Sequence, residues 1–267
     1  MPLKKLQLKP GVDRENTRYT TEGGWYETDK VRFRQGMPEK IGGWERISAN
    51  TFLGVCRSLW NWITLGGQNL ISVGTTLKYY IERGGNYYDI TPIRLTTIAG
   101  AVTFSATNGS STLTITNVSH GAVGGDFVTF SGAVTLGGNI TAAVLNQEYE
   151  ISTVLTDDTY TVAAKDTSDV TVTANALDTG NGGAAVIGTY QINTGSATAV
   201  PFSGWGSGGW GLGTWGYSNA SSSAIRLWSQ SNYGEDLVFA YRGGPIFYWD
   251  ASTGTSVRGK IINTTNY

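Results

Sequence analysis

The sequence predicts an all-β fold, namely a partial or multi-chain-completed β-propeller with an inserted small β-barrel or sandwich domain. Charged residues make up only 15% of the 267 residues, which include 37 glycines and nine tryptophans. Such a composition is typical of short aromatic strands joined by glycine-containing turns. Two stretches of the chain also share one pattern of aromatic strands, and the stretch between them differs from both in charge.

Residues 1–50 are predicted to form an extended N-terminal arm. They hold ten of the nineteen basic residues and show no apolar stripe of helical period. KVRFRQ alternates, with Val31 and Phe33 on one face of a strand and arginines on the other. A half-solvated hairpin and an arm lying on a neighbouring subunit both fit this pattern. Aromatic and arginine side chains are favoured interface anchors, so the candidate contact residues are Tyr19, Trp25, Tyr26, Arg32, Phe33, Arg34 and Trp44.

Residues 51–97 are predicted to form a first propeller blade. RSLWNWITL, NLISVGT, TLKYYIER and YYDITP read as strands, and Gly66-Gly67 and Gly84-Gly85 lie where tight hairpins need positive φ. IRLWSQ, DLVFAYR and PIFYWD repeat the pattern over residues 225–254, which aligns Trp60 with Trp228 and Leu70 with Leu237.

A repeated antiparallel unit of roughly 40 residues is typical of a propeller blade. Packed hairpins of an ordinary sandwich are the alternative. Because a propeller usually has at least four blades, a longer polypeptide or other chains would have to complete the ring.

Residues 98–197 are predicted to be an inserted acidic β domain. They contain one basic residue, eight acidic residues and no tryptophan, a net charge of −7 in a chain whose total is −1. Thr and Val alternate at period two, which predicts a barrel or sandwich of short strands, with a strand at 170–174 among them. The predicted core positions are Leu113, Ile115, Val118, Phe127, Val128, Phe130, Tyr149, Ile151, Tyr160 and Val162.

Residues 198–267 are predicted to hold a Gly/Trp connector followed by the second blade. The connector includes GWGSGGWGLGTWGYS, in which glycine would let the backbone pass close to neighbouring strands. Trp205, Trp210 and Trp215 are predicted to act as a structural staple, with each ring filling a separate gap.

No catalytic, metal or cofactor site is predicted, and the chain is expected not to be an enzyme. His120 precedes a glycine, which favours a turn histidine, and Cys56 is the only cysteine, so a multi-cysteine metal site is excluded. Glu148 and Glu150 lie on one face of a predicted strand and leave a glycosidase as a third hypothesis. No signal peptide and no apolar run long enough to cross a bilayer are found, so no membrane insertion is expected.

Several stretches resemble tail nozzle proteins of short-tailed bacteriophages, the tail tubular protein B family. LKPGVDRENTRYTTEGGWYETDKVRFRQGMPEKIGGWERI resembles their N-terminal segment, and SVGTTLKYYIERGGNYYDITP resembles their first blade. VSHGAVGGDFVTFSGA followed by NQEYEISTVLTDDTYTV is similar to an inserted β module, and the Gly/Trp run resembles one found in the same proteins.

The resemblance implies a virion structural protein of the phage tail. Its partners would be further copies in a ring, implied to be a hexamer, the portal–adaptor complex above it and other tail proteins. Double-stranded DNA would pass through the channel transiently and without sequence specificity during genome ejection. A carbohydrate-binding propeller module of a phage fibre or adhesin is the alternative, because tryptophan and tyrosine also stack on sugars.

Overall fold

The computed structural model describes residues 8–17, 19–20, 22–43, 45–46, 48–198 and 225–262. Trp44, Trp205, Trp210 and Trp215 therefore lie outside the described residues, and with them the predicted tryptophan staple. The chain divides into two compact units, Met1–Ala49 and Asn50–Tyr267. Among the described residues, 17 strands form four sheets and helix is confined to two short turns, so the fold is almost entirely β.

The N-terminal unit contains one β-hairpin. Strand β1 (Val31–Arg34) pairs antiparallel with β2 (Met37–Lys40). Gln35 and Gly36 connect them with φ values of 51° and 83°. Positive φ at both central residues matches the right-handed twist of paired strands, which is why glycine suits such a turn.

The second unit begins with a meander of four antiparallel strands. These are β3 (Cys56–Ile63), β4 (Asn69–Thr75), β5 (Tyr79–Arg83) and β6 (Asn86–Asp89), paired in sequence order. Gly67, Gly84 and Gly85 adopt positive φ as predicted, whereas Gly66 is not among the positive-φ residues. We call this meander the first sheet.

The chain then forms a sheet of seven strands around its own core. The strands are β7 (Ile93–Thr96), β8 (Thr103–Ala106), β9 (Thr112–Thr116), β10 (Phe127–Ser131), β11 (Glu148–Thr156), β12 (Thr159–Ala163) and β13 (Ile187–Gln191), with a short helix α1 (Ala142–Leu145) between β10 and β11. Their order in the sheet is β7-β13-β10-β11-β12-β9-β8. We call this sheet, with α1 and the loops between its strands, the module.

The seven-stranded sheet must curl, because consecutive strands β7 and β8 lie at its opposite edges. Strands spaced about 4.8 Å apart would put the edges of a flat sheet about 29 Å apart, whereas residues 97–102 reach at most about 25 Å. Register shifts in β11 between Ile151 and Thr153, and between Val154 and Thr156, bend the sheet so that both halves enclose one core. The hydrogen-bonded ladder of the described residues stays open, so the module is a curled sheet and no closed barrel is found.

Most predicted core positions of the module are buried, with one exception. Val118 is 73% exposed because it follows the end of β9 and precedes Ser119, whose φ is 54°. Residues 170–174 were also predicted as a strand, but only an isolated bridge between Lys165 and Thr171 forms there. Both errors occur where a turn interrupts the alternation of the neighbouring strand.

The described chain ends with a second meander, which we call the last sheet. It contains β14 (Trp228–Tyr233), β15 (Asp236–Tyr241), β16 (Ile246–Trp249) and β17 (Lys260–Ile261), with a 3₁₀ turn at Ala251–Thr253. The first and last sheets share one core, in which the ring of Tyr79 stacks on Phe239 at 4.1 Å and meets Trp228 edge-on at 4.7 Å.

The register of the two meanders corrects the sequence alignment of Trp60 with Trp228. If Leu70 and Leu237 are equivalent, the partner of Tyr241 is Trp228, whereas the partner of the equivalent Gly74 is Ser58. The two tryptophans are therefore two residues out of register. Trp228 is 8% exposed and packs in the shared core, whereas Trp60 is 39% exposed.

The first and last sheets meet through opposite faces. Thr64 N–H donates to Gln68 in the first sheet and Arg242 N–H donates to Leu227 in the last sheet, which identifies the hydrogen-bonded pairs of each ladder. The core-facing pair Trp62–Leu70 is consequently hydrogen-bonded, whereas the core-facing pair Trp228–Tyr241 is not. In a hairpin of L-residues, the side chains of hydrogen-bonded pairs point to one face and those of non-hydrogen-bonded pairs point to the other. The two sheets therefore use opposite faces in their contact, so they are stacked in the same orientation.

Candidate functional site

Of the contact residues predicted in the arm, Tyr19, Arg32 and Arg34 are exposed, and Trp25, Tyr26 and Phe33 are half-buried. Trp25 packs against Phe33 with ring centroids 6.0 Å apart, and its backbone bridges to Val12. Arg32 pairs with Glu39 across the hairpin at 3.0 Å, and Tyr19 is 94% exposed. The structure therefore brings Trp25 and Phe33 together, whereas Arg32 lies on the opposite face of β1 and pairs with Glu39.

Tyr26 of the arm contacts a different residue, Arg14. The guanidinium of Arg14 lies 5.6 Å from the centre of the Tyr26 ring and 3.7 Å from the carboxylate of Glu27. Arg34 is exposed at the end of β1 and pairs through its backbone with Met37. Tyr26 is half-buried.

No described residue of the N-terminal unit is buried. A folded segment normally offsets the entropy of ordering its backbone by removing apolar side chains from water. No described side chain of this unit is removed from water in this way, so its described residues form no buried core.

A second constellation joins both four-stranded sheets to the module through charge. Lys78 Nζ lies 2.9 Å from Asp89 Oδ2 and also pairs with Glu148 of β11. Arg258, which follows β16, lies 3.1 Å from Asp89 Oδ1 and 3.6 Å from Glu148 Oε2. Gln191 of β13 donates to Glu148 at 2.6 Å. We call these five residues the junction cluster.

Burial makes the junction cluster electrostatically important. The Lys78 side chain is only 4% exposed, and its ammonium lies 4.5 Å from the centre of the Phe127 ring. Two cations face two carboxylates, so each charge has an opposite partner, which a buried ion needs. Burial opposes ionisation of Asp89, but Lys78 and Arg258 outweigh it and hold the pKa of that carboxyl below its ordinary value.

Sequence reasoning missed the junction cluster, although one of its signals was visible. Both repeats place an Asp at the end of an aromatic strand, and in the first repeat this residue is Asp89. Its partners come from a β4–β5 turn, from the module and from Arg258 near the other end of the described chain. No local pattern connects residues so far apart in sequence.

We expect acid to weaken the protein partly through Asp89. In the unfolded chain this carboxyl titrates near its ordinary pKa of 3.8, whereas in the folded chain its pKa is lower. The contribution of Asp89 to stability is therefore fully present above the pKa of the unfolded chain, and it is lost as the pH falls through the folded pKa. Urea unfolding followed by tryptophan fluorescence from pH 7 to pH 2 should give a flatter acid limb for Asp89→Asn than for the unmodified chain. Parallel limbs would contradict the assignment.

The residues considered for a catalytic or metal site are His120, Glu148, Glu150 and Cys56. His120 is buried, accepts from the Ala122 N–H at 3.0 Å and meets the Tyr160 ring edge-on at 4.8 Å, as expected for a turn histidine. Glu148 belongs to the junction cluster and Glu150 is exposed. Burial raises the pKa of the Cys56 thiol.

The described residues contain neither a candidate metal site nor a candidate membrane-spanning helix. No group of three or more His, Cys, Asp or Glu side chains is arranged to hold a metal ion. No helix of that part of the chain is long and apolar enough to span a membrane.

Comparisons with known proteins were made at the level of family models, curated proteins and solved structures. No protein-family model matches the chain, and no curated protein matches it. Among solved structures it is similar to the phage phi92 endosialidase, with a TM-score of 0.28 and 17% sequence identity, over 84% of this chain and 32% of that one. The chain thus spans about a third of the length of that protein. A TM-score this low assigns neither a fold family nor an activity to this chain.

Proposed function

We propose that this chain is a virion structural protein of a short-tailed bacteriophage, a ring-forming component of the tail nozzle below the portal–adaptor complex. The observation that carries the proposal is the N-terminal unit, whose described side chains are all at least partly exposed. The stretch that resembles the N-terminal segment of nozzle proteins covers this same unit. A segment whose described aromatic side chains are at least partly exposed fits a role in subunit or adaptor contacts.

The packing of the first and last sheets supports a propeller. Neighbouring blades of a propeller are related by rotation about a common axis, so each blade meets the next through opposite faces. The hydrogen-bonded core pair Trp62–Leu70 and the non-hydrogen-bonded core pair Trp228–Tyr241 have this relationship. A symmetrical sandwich of two equivalent sheets would instead join like faces. The first strands β3 and β14 also lie next to each other, as the inner strands of neighbouring blades do.

The proposal gives the acidic module a role beside the channel. Several of its eight acidic residues are engaged inside the chain: Glu148 is ion-paired, Asp126 accepts hydrogen bonds from Asn193 and Thr194, and the buried Asp178 accepts from backbone N–H groups such as those of Gly138 and Ile140. Glu150, Asp157 and Asp158 remain exposed around the β11–β12 hairpin. In a nozzle, these carboxylates would repel passing double-stranded DNA or meet a basic surface of a neighbour.

We expect the double variant Trp25→Ala/Phe33→Ala to bind a purified portal–adaptor complex at least 10-fold more weakly than the unmodified chain. Buried aromatic anchors dominate protein interfaces, and two are removed here. Sedimentation with the adaptor ring measures the binding, and Leu155→Ala, on an exposed position of the module, is the matched control. Failure of the unmodified chain to bind any adaptor ring would overturn the proposal.

The carbohydrate-binding alternative is tested by a glycan array. Among the described tryptophans, Trp62, Trp228 and Trp249 are buried in the shared core and unavailable for stacking on a sugar. The nozzle proposal therefore predicts no glycan binding, and specific binding that Trp60→Ala abolishes would favour the alternative.

A further inference from the structure

The outer face of the first sheet leaves a group of apolar side chains in solvent. Leu59 and Ile63 of β3 point away from the shared core and are each 64% exposed, and Leu65 in the following turn is 95% exposed. Phe52 covers the opposite side of this face, where its ring lies 5.0 Å from that of Tyr87. The uncovered part is therefore the β3 side, which is next to the last sheet of the same chain.

The outer face of the last sheet carries polar and apolar side chains, and two of its apolar side chains are exposed. Tyr233 is 78% exposed and Ile246 is 54% exposed, and both lie on the side of the sheet opposite Phe239 and Phe247. Val238 lies on the same outer side and is half-buried. Contiguous exposed apolar side chains on a sheet face commonly mark an interaction surface.

These two free faces form the same complementary pair that is already packed inside the chain. The internal contact joins the hydrogen-bonded face of the β3–β4 ladder to the non-hydrogen-bonded face of the β14–β15 ladder. The faces that remain are the non-hydrogen-bonded face of the first sheet, with Leu59, and the hydrogen-bonded face of the last sheet, with Tyr233. A contact between these two faces places the sheets in the same relative orientation as the contact inside the chain.

We propose that the outer face of the last sheet packs on the outer face of the first sheet of a second copy of this chain. The inference rests on the blade-like stacking in the proposed function and names the surface through which copies meet. The contact is head-to-tail, so it continues from copy to copy and generates a closed ring if the rotation closes. A net charge of −1 gives the copies little overall repulsion to overcome.

Disulfide trapping between two single-cysteine proteins tests this contact. In a Cys56→Ser background, one protein carries Leu59→Cys and the other carries Ile246→Cys. A disulfide needs Cβ atoms about 3.5–4.5 Å apart, so Ile246 is scanned together with its neighbours Ala240 and Tyr233 on the same face. We expect at least one mixed pair to form a covalent dimer, with a yield at least 10-fold above that of Leu59→Cys with Leu155→Cys, an exposed position on the module.

Two outcomes would overturn the head-to-tail contact. One is a Leu59→Cys protein that cross-links to itself as efficiently as to any partner, which indicates a symmetrical dimer. The other is a chain that sediments as a monomer at all concentrations up to about 100 μM, about a hundredfold above a Kd of 1 μM. Leu59→Glu/Ile63→Glu should shift a ring to monomers while its circular dichroism and Tm stay unchanged, because both side chains are exposed.

The adaptor experiment separates this inference from the proposed function. The variant Leu59→Glu/Ile63→Glu keeps the N-terminal unit intact, so its single copies should still bind the adaptor ring. An unmodified chain that binds the adaptor ring but forms no head-to-tail contacts would remove this inference and leave the nozzle proposal. Head-to-tail rings that bind no adaptor would do the reverse.

Discussion

Trp228→Ala is expected to lower the free energy of unfolding by about 3–5 kcal/mol, the range for deleting a buried aromatic side chain. The Trp228 ring fills the space above Gly74, where a Cβ would lie 2.6 Å from Cδ1 of the indole. Its Nε1 also donates to the buried carbonyl of Thr75 at 2.8 Å, and alanine leaves that acceptor without this partner. Urea unfolding monitored by far-UV circular dichroism measures the loss.

Trp60→Ala is the matched control for that prediction. Sequence alignment treats the two tryptophans as equivalent, but Trp60 is 39% exposed and its Nε1 bonds Asn232 near the surface at 3.2 Å. We expect its removal to cost less than half as much as removal of Trp228. Equal losses would mean that the shared core does not depend on Trp228 in the way its packing indicates.

Lys78→Met is expected to cost about 3–5 kcal/mol, because removing one member of a buried ion pair leaves the opposite charge uncompensated. Asp89 and Glu148 would then face each other with Arg258 as their remaining cation. Methionine keeps most of the apolar stem of lysine, so the loss reports charge rather than volume. Urea unfolding at pH 7 measures it.

The double variant Lys78→Met/Glu148→Gln separates charge from packing. Removing one cation and one carboxylate restores the balance, so the double variant should be more stable than Lys78→Met alone. A double-mutant cycle with Glu148→Gln gives the coupling energy of the pair. Additive losses would show that the junction cluster holds the module by packing alone.

Local sequence patterns identified Trp228 as part of a repeat but gave no indication of the role of Lys78. Trp228 was recognised as part of a repeat, but its exact partner depended on turn length: β3 and β4 are joined by residues 64–68, whereas β14 and β15 are joined by Gly234 and Glu235. A difference in turn length shifts the register of every residue upstream of it. Lys78 looked like an ordinary residue of an aromatic strand and gave no sign of its buried partners.

The sequence by itself determined the all-β class, most strand positions and most of the module core. It did so because alternation and turn chemistry act over a few residues, as at Leu113 and Ile115 of β9 or at Gly84-Gly85. The tertiary structure alone decided the curl of the seven-stranded sheet, the opposite-face stacking of the two meanders and the junction cluster. These features depend on contacts between distant parts of the chain, such as Lys78 with Glu148 and Asp89 with Arg258, which only the folded backbone brings together.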